Sequence, residues 1–198
     1  MYQVCHTKME KPSISLIKSI CYPSTSSFST EATEWGISNE KIAINRMFDA
    51  VKQYHSNAKI HSSGLVISTK YPFIAASPDA VLTCDCCPNY CVEVKCPFNA
   101  CHGRLENCKF LIISDSGGMM LDRNHEYYYQ VQTQLGVSEF RKAFFAVYLL
   151  NAMHIEIIDF DEKFWSSLCL KAEQFFFVAI LPELISKYFT RDLLHNIK

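Results

Sequence analysis

The chain has 198 residues, of which 49% are hydrophobic, and its formal net charge is −1. This size and apolar content predict a single domain over residues 1–198 with one core, and the near-zero charge excludes a protein that holds nucleic acid by global charge alone. The longest apolar run, residues 175–181, is too short to cross a bilayer and no signal-peptide-like segment is found, so we expect an intracellular protein, nuclear or cytoplasmic, that is not secreted and has no membrane partner.

Two helices are predicted in the N-terminal part of the chain. We expect residues 14–20 to form a short first helix and the Ser- and Thr-rich residues 22–30 to form a connecting loop. In the second helix, apolar side chains recur at helical spacing, at Ile37, Ile44, Met47, Phe48 and Val51. Glu40 falls within this stripe, where a buried carboxylate is costly unless it is paired or bound to a metal. The alternative is a Glu at the rim of the stripe that reaches water.

The segment SPDAVLTCDCCPNYCVEVKC carries the strongest chemical signal. In a strand over residues 92–96, alternate side chains share a face, so Glu93 and Lys95 project side by side. If residues 78–83 form the preceding strand of a hairpin, Asp79 lies next to Glu93. Two carboxylates beside an ammonium suit a divalent cation and the hydrolysis of a phosphate ester. The same pattern also occurs as a solvated Glu–Lys pair on an exposed strand.

Four cysteines lie in the turn of this predicted hairpin, at Cys84, Cys86, Cys87 and Cys91. Cys84 and Cys87 have the C-x2-C spacing of zinc ligands. Adjacent Cys86 and Cys87 tend to point apart, and the short segment leaves little chain to wrap four thiols around one ion. We therefore expect reduced thiols, with a structural Zn²⁺ as the alternative. The residues that could complete such a zinc site with Cys84 and Cys87 are Cys91, Cys101, His102 and Cys108.

A third helix is predicted at YYYQVQTQLGV, beginning at Tyr127. Helical spacing aligns Tyr127, Gln130 and Gln134 on one face. It aligns Tyr128, Val131 and Leu135 on another. The polar line faces either water or a specific site. The tail of the chain then predicts two strands, AFFAVYLL and MHIEIIDF, and a helix capped by Asp161.

These elements together resemble the PD-(D/E)xK nucleases, and more closely the phage lambda exonuclease and YqaJ viral recombinase family. That family carries a Gly-x-x-x-Glu element, then Ser-Pro-Asp-Gly, Glu-x-Lys-Cys-Pro-Phe and Tyr-x-x-Gln-Val-Gln. The chain has all four elements in the same order between residues 33 and 135, including Gly36 and Glu40. The resemblance implies a restriction-endonuclease-like, three-layered α/β fold with a mixed central sheet flanked by helices, and a catalytic core at about residues 33–160.

The resemblance also implies a site and an activity. The implied ligands for Mg²⁺ or Mn²⁺ are Asp79, Glu93, the Val94 carbonyl and Glu40, the last directly or through water. The implied catalytic residues are Asp79, Glu93, Lys95, Gln130 and Glu40. The implied DNA contacts are Arg104, Tyr127 and Gln134. The expected activity is that of a metal-dependent DNA exonuclease acting on duplex ends in recombination or repair.

Three departures from the family pattern leave other functions open. Ala80 replaces the usual Gly, and Cys101 stands where lambda-type enzymes place an arginine that contacts the 5′-phosphate, a role that Arg104 could take over. The family's N-terminal Arg-x-Thr-Ala-Ser element is missing, as it would be in a fragment of a longer protein. The alternatives are a catalytically inactive nucleic-acid-binding module of the same fold and a structure-specific endonuclease. Some relatives in this family form rings, so an oligomer is a further alternative for this chain.

Overall fold

The computed structural model describes residues 1–23, 30–115 and 117–191, so most of the predicted loop at residues 22–30 lies outside the described residues. The helices are α1 (Tyr2–His6), α2 (Ile14–Cys21), α3 (Glu31–Val51), α4 (Glu126–Ser138), α5 (Glu162–Phe175) and α6 (Leu181–Ser186). The strands are β1 (Lys59–Ser62), β2 (Val66–Ile67), β3 (Ala75–Ala76), β4 (Ala80–Thr83), β5 (Tyr90–Lys95), β6 (Leu111–Ile113), β7 (Met119–Leu121), β8 (Lys142–Leu149) and β9 (Ala152–Asp159). Short 3-10 turns follow α3 and β5, and a π-helical segment joins α5 to α6.

A five-stranded mixed sheet forms the centre of the molecule. Its strand order is β1-β4-β5-β8-β9, and β5 pairs with β8 in parallel while the other neighbours are antiparallel. Parallel neighbours need a long crossover, which here contains α4. The pairs β2–β3 and β6–β7 form small separate ladders. The predicted α/β fold with a mixed central sheet is therefore confirmed.

The two faces of the sheet pack against different helices. On one face, alternate residues of β5 and β8, such as Cys91 and Phe145, bury against Val131 and Leu135 of α4. On the opposite face, Val92 packs with Ala43 and Met47 of α3 and with other residues of that face. Each large apolar side chain that is fully buried contributes about 1.5–3 kcal/mol, so these two cores hold the helix–sheet–helix layers together.

The buried line of α3 differs from the predicted stripe. The buried residues are Asn39, Ala43, Met47 and Val51. Ile37 is 70% exposed, so placing it in the core was wrong. Glu40 is exposed and follows Asn39 by one position, which places it at the rim of the buried line rather than within it. The i, i+4 spacing of the buried residues explains why only a narrow face of this helix meets the sheet.

The C-terminal elements follow the predicted order. The strands β8 and β9 form an antiparallel pair, and Asp161 caps α5 by accepting a hydrogen bond from the backbone N–H of Phe164 at 2.9 Å. The helix α5 packs closely on α4 where Trp165 lies against Gly136. A Cβ at Gly136 would lie 2.4 Å from the Trp165 ring, so only glycine fits there without a shift. Within the described ranges, no helix combines the length and apolarity needed to cross a membrane.

Candidate active site

The end of β5 carries a buried carboxylate beside an ammonium. Glu93 is 1% exposed, and the Lys95 Nζ lies 2.6 Å from its Oε1. The alternation of the strand places both side chains on the face that meets α4. A buried carboxylate is costly unless its oxygens are hydrogen-bonded. The hydrogen-bond partners of Glu93 therefore indicate whether the Glu93–Lys95 pair only stabilises the fold or is positioned for catalysis.

Two glutamines of α4, one turn apart, hold the Glu93 carboxylate. The Gln130 Nε2 donates to the Glu93 Oε1 at 2.7 Å, and the Gln130 Oε1 accepts from the Lys95 Nζ at 3.0 Å. The Gln134 Nε2 donates to the Glu93 Oε2 at 2.6 Å and to the Ser77 carbonyl at 3.2 Å. Both oxygens of Glu93 are thus fixed in position. The predicted role of Gln134 as a DNA contact is wrong, because its side chain is 1% exposed and supports Glu93 instead.

An aromatic ring lies against the ammonium of Lys95. The Lys95 Nζ is 4.3 Å from the centroid of the Tyr127 ring, and that ring packs edge-on against Phe110 with centroids 5.0 Å apart. Burial alone would lower the pKa of Lys95, but the charge of Glu93 and its hydrogen bond outweigh burial and raise the pKa above its ordinary value. Lys95 is therefore a cation at neutral pH and not a general base. Tyr127 and Gln130 also line a cleft of about 630 Å³ beside this pair.

The second carboxylate, Asp79, lies immediately before β4. Its backbone N–H donates to the Val92 carbonyl at 3.0 Å, and its Oδ2 accepts from the Val94 N–H at 2.8 Å. Burial, followed by the negative charges of Glu93 and Glu40, raises the pKa of Asp79 to about 7, against the opposing effects of the Val94 N–H and Lys95. Ala80, which stands where the family has Gly, is not among the residues with positive φ, so the backbone accepts a side chain there.

The donor set at this end of the sheet fits a divalent cation. The carboxylates of Asp79 and Glu93 are hard oxygen ligands. In a strand, the N–H and C=O of one residue point to the same side, so the Val94 carbonyl faces the strand edge on which Asp79 binds the Val94 N–H. Burial, together with the charges of Glu93 and Glu40, raises the pKa of Asp79 and so favours neutralisation of its carboxylate. A cation would supply that neutralisation.

Glu40 interacts with Asp79 electrostatically, without a hydrogen bond between the two side chains. It is exposed on α3, and its charge contributes to the raised pKa of Asp79 and to that of Cys96, which reaches about 11 mainly through burial. Among the described residues, no hydrogen bond joins Glu40 to the other carboxylates. The predicted metal-ligand role of Glu40 stays a prediction.

The region predicted to contact the 5′-phosphate is only partly accessible. Cys101 is buried, and its carbonyl accepts from the Leu150 N–H at 3.1 Å, so its side chain is not available to a phosphate. Arg104 is exposed, just before the 3-10 turn Leu105–Asn107, and its backbone N–H donates to the Asn107 Oδ1 at 2.8 Å. Contact of Arg104 with DNA stays a prediction.

A second cluster of potential ligands lies at the other end of the β4–β5 hairpin. One ligand atom from each of His55, Cys84, Cys86 and Cys87 lies within 4.8 Å of the other three. Cys86 and Cys87 do not point apart, since their sulfurs are 3.7 Å from each other. His55 was not among the residues predicted for a zinc site, and Cys86 was expected to point away from Cys87. The Cys-x2-Cys spacing of Cys84 and Cys87 is the sequence signal for this cluster.

The structure removes several of the predicted zinc candidates. Cys91 is not part of the cluster, because the alternation of β5 turns its side chain into the core against α4. Cys101 and Cys108 are also buried, and Cys108 belongs to the same core as Cys91. None of the ten cysteines, all of which lie within the described residues, forms a disulfide bond.

The comparisons with known proteins agree with this architecture. The crystal structure of LHK-Exo in complex with dAMP has a TM-score of 0.61 at 18% identity, covering 98% of this chain and 95% of that chain. The crystal structure of the alkaline exonuclease LHK-Exo from Laribacter hongkongensis has a TM-score of 0.60 at 17% identity, with coverages of 98% and 99%. At these identities the likeness establishes the fold. A search of curated proteins gave no significant match. The model of the YqaJ-like viral recombinase domain matches residues 1–141, and the chain belongs to this family.

Proposed function

We propose that this protein is a divalent-metal-dependent exonuclease that hydrolyses phosphodiester bonds of DNA at duplex ends, in recombination or repair. The observation that carries the proposal is the joint placement of Asp79, Glu93 and Lys95 at the end of β5, held by two glutamines of α4. Membership of the YqaJ-like family supports it. The alkaline exonuclease of the same fold supports it further, because one of its structures holds dAMP, a mononucleotide of the kind that stepwise cleavage of DNA releases.

The metal would be held by oxygen atoms of this chain. Asp79, Glu93 and the Val94 carbonyl are the proposed ligands for Mg²⁺ or Mn²⁺, and Glu40 adds charge from α3, directly or through water. When bound, such an ion polarises the scissile phosphate and lowers the pKa of a coordinated water. Two hydrogen bonds from α4 fix the Glu93 carboxylate before any ion arrives, which reduces the reorganisation needed on binding.

Lys95 stabilises negative charge at the reacting phosphate. It is a cation, and among the described residues Glu93 and Gln130 accept two of its three N–H groups. The remaining N–H is left for a water or a phosphate oxygen. Tyr127 and Gln130 restrict the movement of the ammonium, so its charge is aimed before the substrate binds. Gln130 is therefore proposed to act on both charged groups at once.

Digestion of defined DNA substrates tests the proposal. The protein is incubated with Mg²⁺ and linear duplex, closed circular duplex or single-stranded DNA. The expected result is loss of linear duplex with release of mononucleotides, closed circles remaining intact. Cutting of closed circles would support a structure-specific endonuclease instead. Binding of DNA without turnover would support an inactive module, an alternative that the burial of Cys101 favours.

The choice of metal provides a second test. Oxygen ligands favour hard ions, so Mg²⁺ or Mn²⁺ should support cleavage, whereas Ca²⁺ should support binding with little cleavage because its longer and looser coordination positions water poorly. The measurement is the initial rate with each ion after removal of other metals by chelation. Full activity without any divalent ion would contradict the proposed mechanism.

A further inference from the structure

We propose that His55, Cys84, Cys86 and Cys87 form a structural Zn²⁺ site that fastens the end of α3 to the β4–β5 turn. The site is separate from the proposed catalytic centre. Cys84 directly follows β4, whereas Asp79 directly precedes it, so the two are about 16 Å apart along the extended strand. The two proposals therefore stand or fall independently.

Four of the six separations between the ligand atoms are close to the edges of a zinc tetrahedron, and the other two are no longer than 4.8 Å. The Cys86 Sγ lies 3.6 Å from the Cys84 Sγ and 3.7 Å from the Cys87 Sγ. The His55 Nδ1 lies 3.5 Å from the Cys84 Sγ and 3.8 Å from the Cys86 Sγ. Bond lengths of about 2.3 Å for Zn–S and 2.0–2.1 Å for Zn–N give tetrahedral edges of about 3.8 Å between sulfurs and about 3.6 Å between sulfur and nitrogen.

The same distances argue against a disulfide. Bonded sulfurs lie about 2.05 Å apart, well below the Cys84–Cys86 and Cys86–Cys87 separations. Three thiol sulfurs and an imidazole are soft and borderline ligands, which favour Zn²⁺ over the hard ions expected at the other end of the hairpin. Four protein ligands leave no open coordination position, so the site is structural rather than catalytic.

The segments that carry the ligands are held together independently of any ion. The Asp85 N–H donates to the Ser56 carbonyl at 2.9 Å, and the Asn57 Nδ2 donates to the Asp85 Oδ2 at 2.6 Å. Asn57 has a φ of 52°, in the left-handed region that Asn tolerates, and this turns the chain after His55. These contacts bring the His55 segment against the cysteine turn.

Two further contacts orient the ligands themselves. The Ser56 N–H donates to the Cys86 Sγ at 3.4 Å, a bond of the kind that stabilises a metal-bound thiolate. The His55 ring makes T-shaped contacts with Tyr90 and Phe144, with centroids 5.7 and 6.1 Å away. The imidazole is thereby packed with its Nδ1 towards the sulfurs.

Zinc analysis of the 198-residue chain tests the proposal. The protein is produced with zinc in the medium, purified under reducing conditions and gel-filtered in excess Mg²⁺, which occupies the oxygen ligands of the other site. Elemental analysis should find one zinc per chain. His55→Asn, Cys84→Ser, Cys86→Ser and Cys87→Ser should each weaken zinc affinity, in competition with a chelator, by more than about 100-fold, the upper range for loss of an outer-shell partner.

Matched controls separate this site from general effects of removing a His or a Cys. His102→Asn and Cys5→Ser change residues outside the cluster and should leave the zinc content unchanged. If a ligand variant does not fold, Co²⁺ substitution of the unmodified protein decides, because three thiolates in a tetrahedral field give strong sulfur-to-cobalt charge-transfer and visible d–d bands. Folded, reduced protein that retains substoichiometric zinc, or controls that lose zinc as the ligand variants do, would overturn the proposal.

Discussion

The two ends of the β4–β5 hairpin present opposite kinds of ligand. At one end, Asp79 and Glu93 offer oxygens whose charges repel each other, and the pKa of Asp79 rises as a result of burial and this repulsion. At the other end, three thiols and His55 converge without hydrogen bonds to any carboxylate among the described residues. Hard and soft ligands are thereby kept apart on one hairpin, so ions that prefer oxygen and ions that prefer sulfur need not compete for the same site.

The two ends also differ in what holds them. Glu93 is positioned by side chains of α4, which follow it in the chain by 37 and 41 residues. The cysteine turn is met by His55, which precedes Cys84 by 29 residues. One end therefore depends on the docking of α4 and the other on the end of α3. Substitutions at one end should leave the other intact.

The largest expected effect is that of Asp79→Asn on catalysis. Asn can still accept the hydrogen bond of the Val94 N–H, so the strand should keep its geometry, but a charged ligand is lost. The rate of hydrolysis of linear duplex should fall by at least about a thousandfold, which corresponds to about 4 kcal/mol of transition-state stabilisation. Zinc content at the other end should not change. Asp49→Asn, an exposed α3 carboxylate paired with Lys52, is the control and should keep full activity. An Asp79→Asn variant as active as this control would exclude Asp79 from the mechanism.

The same substitution should change the pH dependence of stability. In Mg²⁺-free buffer, Asp79 holds its proton in the folded state up to about pH 7 but loses it near pH 3.8 when unfolded. The folded state thus binds more protons between these values, and the free energy of unfolding falls as pH rises through this window. Asp79→Asn removes this loss, so at pH 8 the variant should be more stable than the unmodified protein by up to about 4 kcal/mol.

Urea denaturation at a series of pH values measures this difference. The gap between the two proteins should close towards pH 4 and should shrink at pH 8 when Mg²⁺ is added, because an ion neutralises the same charge. A gap that is equal at both pH values would show that the pKa of Asp79 is not raised in the folded protein.

Lys95→Ala should separate charge stabilisation from metal binding. Removing the ammonium takes away the proposed contact with the phosphate, and cleavage should slow by about a hundredfold, the range for loss of one preorganised donor. The carboxylates remain, so Mn²⁺ affinity measured by calorimetry should stay close to that of the unmodified protein. Lys52→Ala, which removes an exposed lysine, serves as the control. Loss of Mn²⁺ affinity in the Lys95 variant would point to a structural role for this side chain.

The smallest expected effects distinguish two neighbouring glutamines of α4. Gln130→Ala should lower the cleavage rate by about tenfold, because it frees both Glu93 and Lys95 from one hydrogen-bonded group. Gln132→Ala should leave the rate nearly unchanged and destabilise the fold by about 1–3 kcal/mol. The reason is that Gln132 is fully buried and binds the Asp159 carbonyl and the Asp161 N–H, each at 2.9 Å. Rate and urea midpoint, measured on both variants, test the contrast, and equal effects on the rate would contradict it.

Periodic patterns predicted the parts of the fold that alternate or repeat cleanly. The period of two in β5 placed Glu93 and Lys95 on one face, and the helical period of α4 separated Gln130 and Gln134 from Leu135. The helix cap at Asp161 was also predicted from the sequence, because the capping hydrogen bond joins residues three positions apart. These features depend on near neighbours in the chain.

Features that depend on contacts between residues far apart in the sequence could not be predicted from the periodicity of apolar residues. Ile37 is exposed because α3 meets the sheet along a narrow line that begins at Asn39, and no periodicity shows where a helix first touches its partner. The short edge strand β1 has a mostly exposed, polar pattern that is typical of loops. His55 reaches the cysteine turn only through tertiary packing. The backbone of that turn decides where the adjacent Cys86 and Cys87 side chains point.

The parallel pairing of β5 with β8 has a consequence for how this protein is folded and expressed. Tyr90 pairs with Lys142, so the strand that carries Glu93 pairs with a strand about 50 residues further along the chain. Such non-local pairing forms slowly during folding. The family match ends at residue 141, one residue before β8 begins. A recombinant fragment cut at that boundary would expose β5 as an apolar edge strand and should aggregate. An expression boundary beyond α5 keeps the strand paired.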